Sequence, residues 1–523
     1  MCGKIRFHQD AALLRSSALD ARLSQAPGLA PRPAVEAAGT QQNPFMSEML
    51  QNAPPCQTPL RVIIIGGGYT GVAYAIHLIG NTACALEIGI VEPASLLGRG
   101  IAYGTQEHAH RINVPSDRMS VYQSDPTHAT RWLFSHGVLP DASSTDARGH
   151  HYVARAHYGA YVADTLSHCV AGTGGRVTLI HHRGSAVAIN PGTSHRHIVQ
   201  IDSGQRLPAD LVVLTCGHAV PVLPCEVDTT VLADLRLIAD PWKAGALRAI
   251  AADDNVLLVG TGLTMADVLA SLVAAGHRGR IKAISRRGLL PKQQGQFANF
   301  DFLGDRTAPT TARGLLRLAR QRIEENRYCG WHPVLDGLRA QLQTLWPALP
   351  PAEQLRVVRR LLPFWEIHRF RIGTQVQATL SEAIATGKLL VRQAGIVGIR
   401  LENDQLFCLL RPRGAPVQEE AFERVIFCTG PEKNIARNPL IAAMLADGTV
   451  KKDAIGVGLA VDRQSRVIDA HGRVVDGMYA YGPITRGTFG EMTGAPDIAQ
   501  HIERMMQQFN PVAGLRERLP AII

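Results

Sequence analysis

The sequence predicts an α/β chain built on two strand–turn–helix units, with a helical segment inserted after the second. Three observations predict it. Arg61-Val-Ile-Ile-Ile-Gly-Gly-Gly-Tyr-Thr-Gly71 runs a β-branched stretch into a glycine turn, and Val72–Ile79 follows with helical composition. The pattern returns at Asn255-Val-Leu-Leu-Val-Gly-Thr-Gly-Leu-Thr-Met-Ala-Asp267. Each unit is followed by a further apolar strand, Leu86–Glu92 and Arg280–Ser285. Strands alternating with helices at this spacing build βαβ units and parallel sheets.

In the first unit Gly66, Gly68 and Gly71 fall on G-x-G-x-x-G, with Gly67 between the first two. Gly66 permits the tight turn, Gly68 admits a pyrophosphate to the backbone, and Gly71 lets helix and strand approach. The following helix N-terminus faces the phosphates with free N–H groups and the positive end of its dipole. Glu92 ends the next strand near the offset, about 20 residues on, at which a carboxylate reaches a ribose 2′-OH. The second unit is looser: Gly260 and Gly262 supply the turn, and Ala266 falls one place beyond the usual third small residue. Where the first unit ends on Glu92, the second ends on Ser285, Arg286 and Arg287. A carboxylate pairs with an unphosphorylated ribose, whereas arginines accommodate a 2′-phosphate or simply solvate a strand end. The first unit therefore suits FAD and the second suits NADH or NADPH, the arginines favouring NADPH.

Taken in order, residues 1–58 are rich in Ala, Ser, Pro and Gln, show no hydrophobic core of a secretory signal, and read as a disordered tail. Residues 59–225 form the first part of an FAD domain. Leu97-Gly-Arg-Gly-Ile-Ala-Tyr-Gly104 is a glycine-rich loop suited to close ligand approach, and helices are predicted near 125–137 and 158–166. Short strands over 176–213 end in Asp210-Leu-Val-Val-Leu-Thr-Cys-Gly217. A linker over 219–241 leads to an NAD(P) domain at 226–395, with a helical insertion at about 310–387. Leu335, Leu338, Leu342 and Leu345 recur there at helical spacing, as core stripes. Glu423–Gly430 echoes Asp210–Gly217, one such strand closing each dinucleotide unit, so residues 396–510 are predicted to return and complete the FAD domain. A strand ends there on Gly482, and a helix begins near Ala495-Pro496, where its N-terminus suits the edge of a flavin ring.

Composition narrows the partners. A formal charge of +10 is carried by scattered lysines and arginines, with no basic run interleaved with aromatics, which points to small anionic ligands and away from nucleic acid. Nine cysteines, odd in number and without Cys-x-x-Cys, read as reduced thiols of a cytoplasmic protein and not as a redox pair. No His/Cys/carboxylate cluster has metal-ligand spacing. The apolar run Val62–Gly80 contains a glycine triplet and reads as the fingerprint, not a membrane span. Oligomeric state is left open.

Gly66–Gly71, Leu97–Gly104, Ile112-Asn-Val-Pro115, Pro241-Trp242, Gly260-Thr-Gly-Leu-Thr264, Ser285-Arg-Arg-Gly288 and Arg486-Gly-Thr-Phe489 together resemble the HpyO/CreE-like FAD/NAD(P)-binding family over about residues 59–505. The family includes FAD-dependent urate hydroxylases and aspartate N-monooxygenases. The resemblance implies an oxidoreductase in which NAD(P)H reduces FAD, O2 adds, and a flavin C4a-hydroperoxide transfers one oxygen to a small anionic substrate. Urate is the leading substrate; an amino-acid N-hydroxylase, and a reductase or oxidase without oxygen insertion, are the alternatives. Phe370 and Gly490 depart from relatives that carry histidine and tryptophan there. Candidate catalytic residues are Arg369, Arg371 and Arg486, as anion partners, and His218 as a proton carrier; Arg369 and Arg371 fit a capped helix end equally well.

Overall fold

Leu60–Ile65 occupies an interior place in a six-stranded sheet because it is apolar on both faces. Val62 and Ile64 point into one core with the helices Tyr69–Gly80, Arg155–Ala171 and Ala495–Gln508. Ile63 and Ile65 point into a second core, with a three-stranded antiparallel sheet over Ala186–Ala209 and the helix Pro439–Ala446. The strand period of two assigns the alternate residues to opposite faces. The computed structural model describes residues 58–217, 221–295, 298–403 and 405–512. The tail at 1–57 and His218 lie outside the described residues.

The strand order of this sheet is Arg466–Ile468, Val474–Ala480, Leu211–Leu214, Leu60–Ile65, Leu86–Val91, Val177–His182. Four of its five pairings are parallel, including Leu60↔Leu86 and Met478↔Val212. The C-terminal part of the chain thus returns to pair beside Leu211–Leu214. This makes the first Rossmann-like domain discontinuous.

The second sheet repeats the plan around Val256–Val259, which pairs in parallel with Ile281–Ser285 and Arg424–Phe427. Val256 and Leu258 face the helices Leu263–Ala274 and Thr374–Ala385, while Leu257 and Val259 face an antiparallel extension, Leu389–Glu402, Gln405–Pro412 and Gln418–Phe422. Two sequence boundaries shift here. Strands up to Phe427 belong to the second sheet, so the return to the first domain begins after Phe427 and not at residue 396. The segment predicted as a linker supplies Glu226–Val227 and Leu237–Ile238 to that same sheet. Both pairings join residues far apart in sequence, which periodicity cannot report.

Between Ile281–Ser285 and Leu389–Glu402 the chain makes a helical insertion, Ala312–Glu325 through Thr374–Ala385. Leu338 and Leu345 are buried in its own core beside Phe302, Leu315 and Trp346, whereas Leu335 and Leu342 are half-buried. The continuous stripe is broken because His332–Ala340 ends at Gln341 and a new short helix starts at Leu342. Among the described residues no helix is long and apolar enough to cross a membrane, and no group of three or more His, Cys, Asp or Glu is placed to hold a metal ion.

Two candidate dinucleotide sites

At the end of Leu60–Ile65 the chain turns at Gly66 with φ +105°, a conformation that strains any residue with a Cβ. An added Cβ there would lie 2.6 Å from the Thr215 carbonyl oxygen, and one at Gly71 would lie 2.0 Å from the carbonyl oxygen of Gly66. These two glycines are required by the protein's own packing. Gly68 is different. Its φ of −72° suits any residue, and the nearest atom to an added Cβ is Gly100 Cα at 3.5 Å. A glycine that the fold does not need, at the first helix's N-cap, is what the approach of a pyrophosphate requires.

The loop is held from several sides. Gly67 N–H donates to Glu92 Oε2 at 2.9 Å, and Ala94 N–H donates to Glu92 Oε1 at 3.0 Å. Each carboxylate oxygen keeps accepting capacity for a hydroxyl group. Thr215 Oγ1 donates to the Gly66 carbonyl at 2.7 Å, two residues before Gly217. Gly98 N–H donates to the Gly67 carbonyl at 2.8 Å, so the 97–104 loop covers the turn. Gly482 comes from the returning segment and approaches Thr70, which an added Cβ would meet at 2.8 Å. Sequence reasoning missed Thr215 and Thr70; the repeated Thr and Cys before Gly at 215–217 and 428–430 was the available signal for the former.

The second turn has the same division of labour. Gly260 is at φ +128°, and an added Cβ would lie 2.2 Å from the Cys428 carbonyl oxygen. At Gly262, the N-cap of Leu263–Ala274, an added Cβ finds nothing within 4 Å among the described residues. Buried Met265 stands where the first loop has Gly71. Ser285 Oγ is tied to Thr261 Oγ1 at 2.8 Å and accepts from Gly288 N–H at 2.9 Å, which curls the strand end around the turn. Arg286 and Arg287 are exposed there, and among the described residues neither has an acidic partner; Arg287 lies over the Phe364 ring at 6.0 Å. The residues present therefore fit a dinucleotide at each turn.

The three candidate catalytic arginines have partners within the protein. Arg369 Nη2 donates to Asp497 Oδ2 at 2.5 Å, and Arg339 Nε donates to Asp497 Oδ1 at 2.8 Å. Burial raises the Asp497 carboxyl's pKa, yet Arg369 and Arg339 together hold it below its ordinary value. Because Asp497 sits in the first turn of Ala495–Gln508, that helix N-terminus is already partnered by a carboxylate. Arg371 makes a two-pronged pair with Asp336, at 2.7 and 3.1 Å. Arg486 donates to the carbonyls of Val457 and Lys433, each at 3.0 Å. It also lines a shallow cleft with Gly217, Glu432, Lys433, Asn434 and Pro483; Arg369 and Arg371 do not line it. Arg369→Ala should destabilise the protein by roughly 3–5 kcal/mol by leaving Asp497 buried with one partner fewer. A melting temperature within a few degrees of wild type would remove that structural role.

Two Rossmann-like domains with open second glycines at both turns define a dinucleotide-binding flavoprotein fold. Residues 63–219 match the FAD-NAD(P)-binding family model. An L-aspartate N-monooxygenase (nitrosuccinate-forming) of Streptomyces davaonensis is 26% identical over 291 residues, 45% of this chain and 44% of that protein. The chain thus spans less than half the length of that relative. Among solved structures, the ornithine N-hydroxylase of Kutzneria sp. 744 with reduced FAD, NADP+ and L-ornithine superposes with a TM-score of 0.60 and 15% identity, over 88% of this chain and all of the other. The FAD-bound cadaverine monooxygenase of Erwinia amylovora gives 0.57 at 12% identity, over 87% of this chain and 96% of the other. The L-lysine 6-monooxygenase of Pseudomonas syringae gives 0.55 at 17%, over 88% and 99%. At these identities the likeness is one of fold.

Proposed function

We propose that the chain is an FAD-dependent, NADPH-using N-monooxygenase of a small amino acid or amine, with L-aspartate the first substrate to test. The observation that carries this reading is the pair of turns with open second glycines, one backed by a carboxylate and the other by two arginines that have no acidic partner among the described residues. The amino-acid substrate draws its support from the aspartate enzyme and from folds named for ornithine, lysine and cadaverine. Urate, the leading reading of the sequence, has no counterpart among those relatives, and the amino-acid alternative replaces it.

The chemistry a flavin supplies here is two-electron reduction by NADPH followed by insertion of one atom of O2 into an N–H bond. In balance, R–NH2, O2, NADPH and H+ yield R–NHOH, H2O and NADP+. The chain's own part is binding and placement. The backbone at Gly66–Gly68 and the N-terminus of Tyr69–Gly80 receive one pyrophosphate, and Glu92 accepts from a ribose hydroxyl. Gly260–Gly262 receive the second pyrophosphate. Arg286 and Arg287 engage a 2′-phosphate by charge-assisted hydrogen bonds, each worth about 1.5–3 kcal/mol. Arg486 and Lys433 line the cleft beside Glu432, and Lys433 Nζ lies 3.4 Å from Glu366 Oε1, so the lining carries both signs of charge, as a substrate with an amine and a carboxylate requires.

The test is NADPH oxidation by the purified flavoprotein with L-aspartate, L-ornithine, L-lysine, cadaverine and urate in turn. Stimulated oxidation with a hydroxylamine or more oxidised nitrogen product from one of the amines supports the reading. Stimulation by urate alone, or peroxide release that no amine alters, overturns it. Arg286→Ala combined with Arg287→Ala should raise the KM for NADPH at least tenfold and leave that for NADH within about twofold. Equal losses with both nucleotides would show that these side chains do not read the 2′-phosphate.

A further inference from the structure

One buried polar cluster joins the two dinucleotide domains and is not used by either glycine turn. Arg155 Nη2 donates to Asp267 Oδ2 at 2.8 Å, with 12% and 5% of the two side chains exposed. Arg155 Nε also donates to the Arg111 carbonyl at 3.0 Å. Beside this pair, His110 Nε2 lies 2.9 Å from Ser271 Oγ and His110 Nδ1 lies 2.9 Å from Thr105 Oγ1. Asp267 and Ser271 are one turn apart on Leu263–Ala274, the helix that starts at the second glycine turn. Arg155 opens Arg155–Ala171, which packs on the helix of the first turn through Tyr158, Tyr161 and Val162. The indole of Trp242, at the entry to the second domain, packs against both: its ring is 5.4 Å from the Arg155 guanidinium and 5.3 Å from the His110 imidazole.

Packing alone does not account for this cluster. A cation in the first turn of a helix opposes the positive end of the helix dipole. A buried ion pair at best breaks even against apolar residues of the same shape, and its best-attested use is to fix register. Burial is costly enough here to push the Asp267 carboxyl up to about 6 against the pull of Arg155, and the His110 imidazole down to about 4. His110 is thus a neutral hydrogen-bonding group near pH 7, and the pair beside it is directional and specific to one arrangement of the two domains.

We propose that Arg155–Asp267, with His110–Ser271 beside it, is a clamp that sets the second dinucleotide domain at a fixed orientation to the first. Arg155 and Asp267 are thereby positioning residues for the step in which a C–H bond of the reduced nicotinamide breaks and its hydrogen and electron pair pass to the flavin ring. The nicotinamide is oxidised and the flavin reduced. The positioning part rests on the proposed function; the clamp itself does not. Transfer of this kind depends steeply on distance, so a displacement of about 1 Å costs on the order of a hundredfold.

The test compares the flavoprotein with its Asp267→Asn, Asp267→Ala, Arg155→Ala and Arg155→Lys variants by two readouts. Without nucleotide, the emission of Trp242 (by difference from Trp242→Phe) and the rate of proteolysis within 221–241 report whether the domains are clamped. With NADPH, stopped-flow bleaching of the flavin separates the limiting reduction rate from the nucleotide dissociation constant. The expected result for Asp267→Ala and Arg155→Ala is red-shifted Trp242 emission and proteolysis at least about tenfold faster. The limiting reduction rate falls at least about tenfold while NADPH affinity stays within twofold. Arg155→Lys, which keeps the charge, should recover part of both. Asp267→Asn keeps the shape if the alanine variant does not fold. Unchanged emission and proteolysis in Asp267→Ala, or in Asp267→Asn where the alanine variant does not fold, would overturn the clamp. An opened clamp with an undiminished reduction rate would overturn the positioning role. A wild-type flavin that neither nucleotide reduces, alongside the expected emission and proteolysis changes, counts against the oxidoreductase reading and supports the clamp.

Discussion

Gly71→Val should unfold the first dinucleotide domain. A Cβ at this position would sit 2.0 Å from the carbonyl oxygen of Gly66, 2.9 Å from Thr215 Oγ1 and 3.1 Å from Ile64 Cγ2. Two of these belong to the turn and the strand that the helix must cross, so relief requires Tyr69–Gly80 to lift off Leu60–Ile65. That movement would separate Val72, Ala75 and Ile76 from Val62 and Ile64, all of them fully buried or nearly so. Overpacked cores ordinarily lose 1–3 kcal/mol; a clash with backbone at the centre of a sheet should cost about 3 kcal/mol or more. The expected outcome is insoluble protein, or a melting temperature lowered by ten degrees or more. Even Gly71→Ala should show much of this loss. A soluble Gly71→Val protein melting with wild type would show that the helix has room which the geometry denies it.

Gly68→Val should do the opposite: leave the fold and remove the flavin. Among the described residues an added Cβ at Gly68 meets only Gly100, its Cα at 3.5 Å and its N at 4.0 Å, ordinary van der Waals distances, and the backbone there suits any residue. The side chain would instead occupy the space through which a pyrophosphate reaches the backbone N–H groups. Loss of that approach should weaken FAD by about a hundredfold or more, equivalent to about 2.7 kcal/mol. Flavin absorbance per protein after gel filtration, read beside a melting curve of the apoprotein, separates the two variants. A folded Gly68→Val protein that keeps its yellow flavin would refute the assignment of this loop.

The same contrast explains why some residues were readable from sequence and others were not. Gly66 and Gly260 belong to turns whose required φ values, +105° and +128°, follow from a strand that must reverse into a helix within a few residues. Spacing reports such needs directly. The roles of Arg369, Arg371 and Arg486 could not be read this way. Arg369 is taken by Asp497, a residue 128 positions away, and Arg371 by Asp336 on another helix of the insertion. The clustered cations after Trp365 fitted an anion site and a capped helix end equally well in sequence, because their acidic partners come from elsewhere. Arg424–Phe427 does close the second unit, beside Val256–Val259, as its echo of Asp210–Gly217 implied; it was the extent of that domain, running past residue 396 to this strand, that periodicity did not report.

By itself, the sequence determined the α/β class, both glycine turns, the helical insertion and the return of the chain to its first domain. These follow from local apolar periodicity and from backbone conformations that only certain residues adopt. Tertiary structure alone decided which glycines serve packing and which leave room for a ligand, because that depends on atoms such as the Thr215 and Cys428 carbonyls brought from distant strands. It also decided that Arg155 meets Asp267 across the domain boundary. A side chain's charge is written in the sequence; its partner is chosen by the fold, since burial makes an unpaired charge too costly to leave alone.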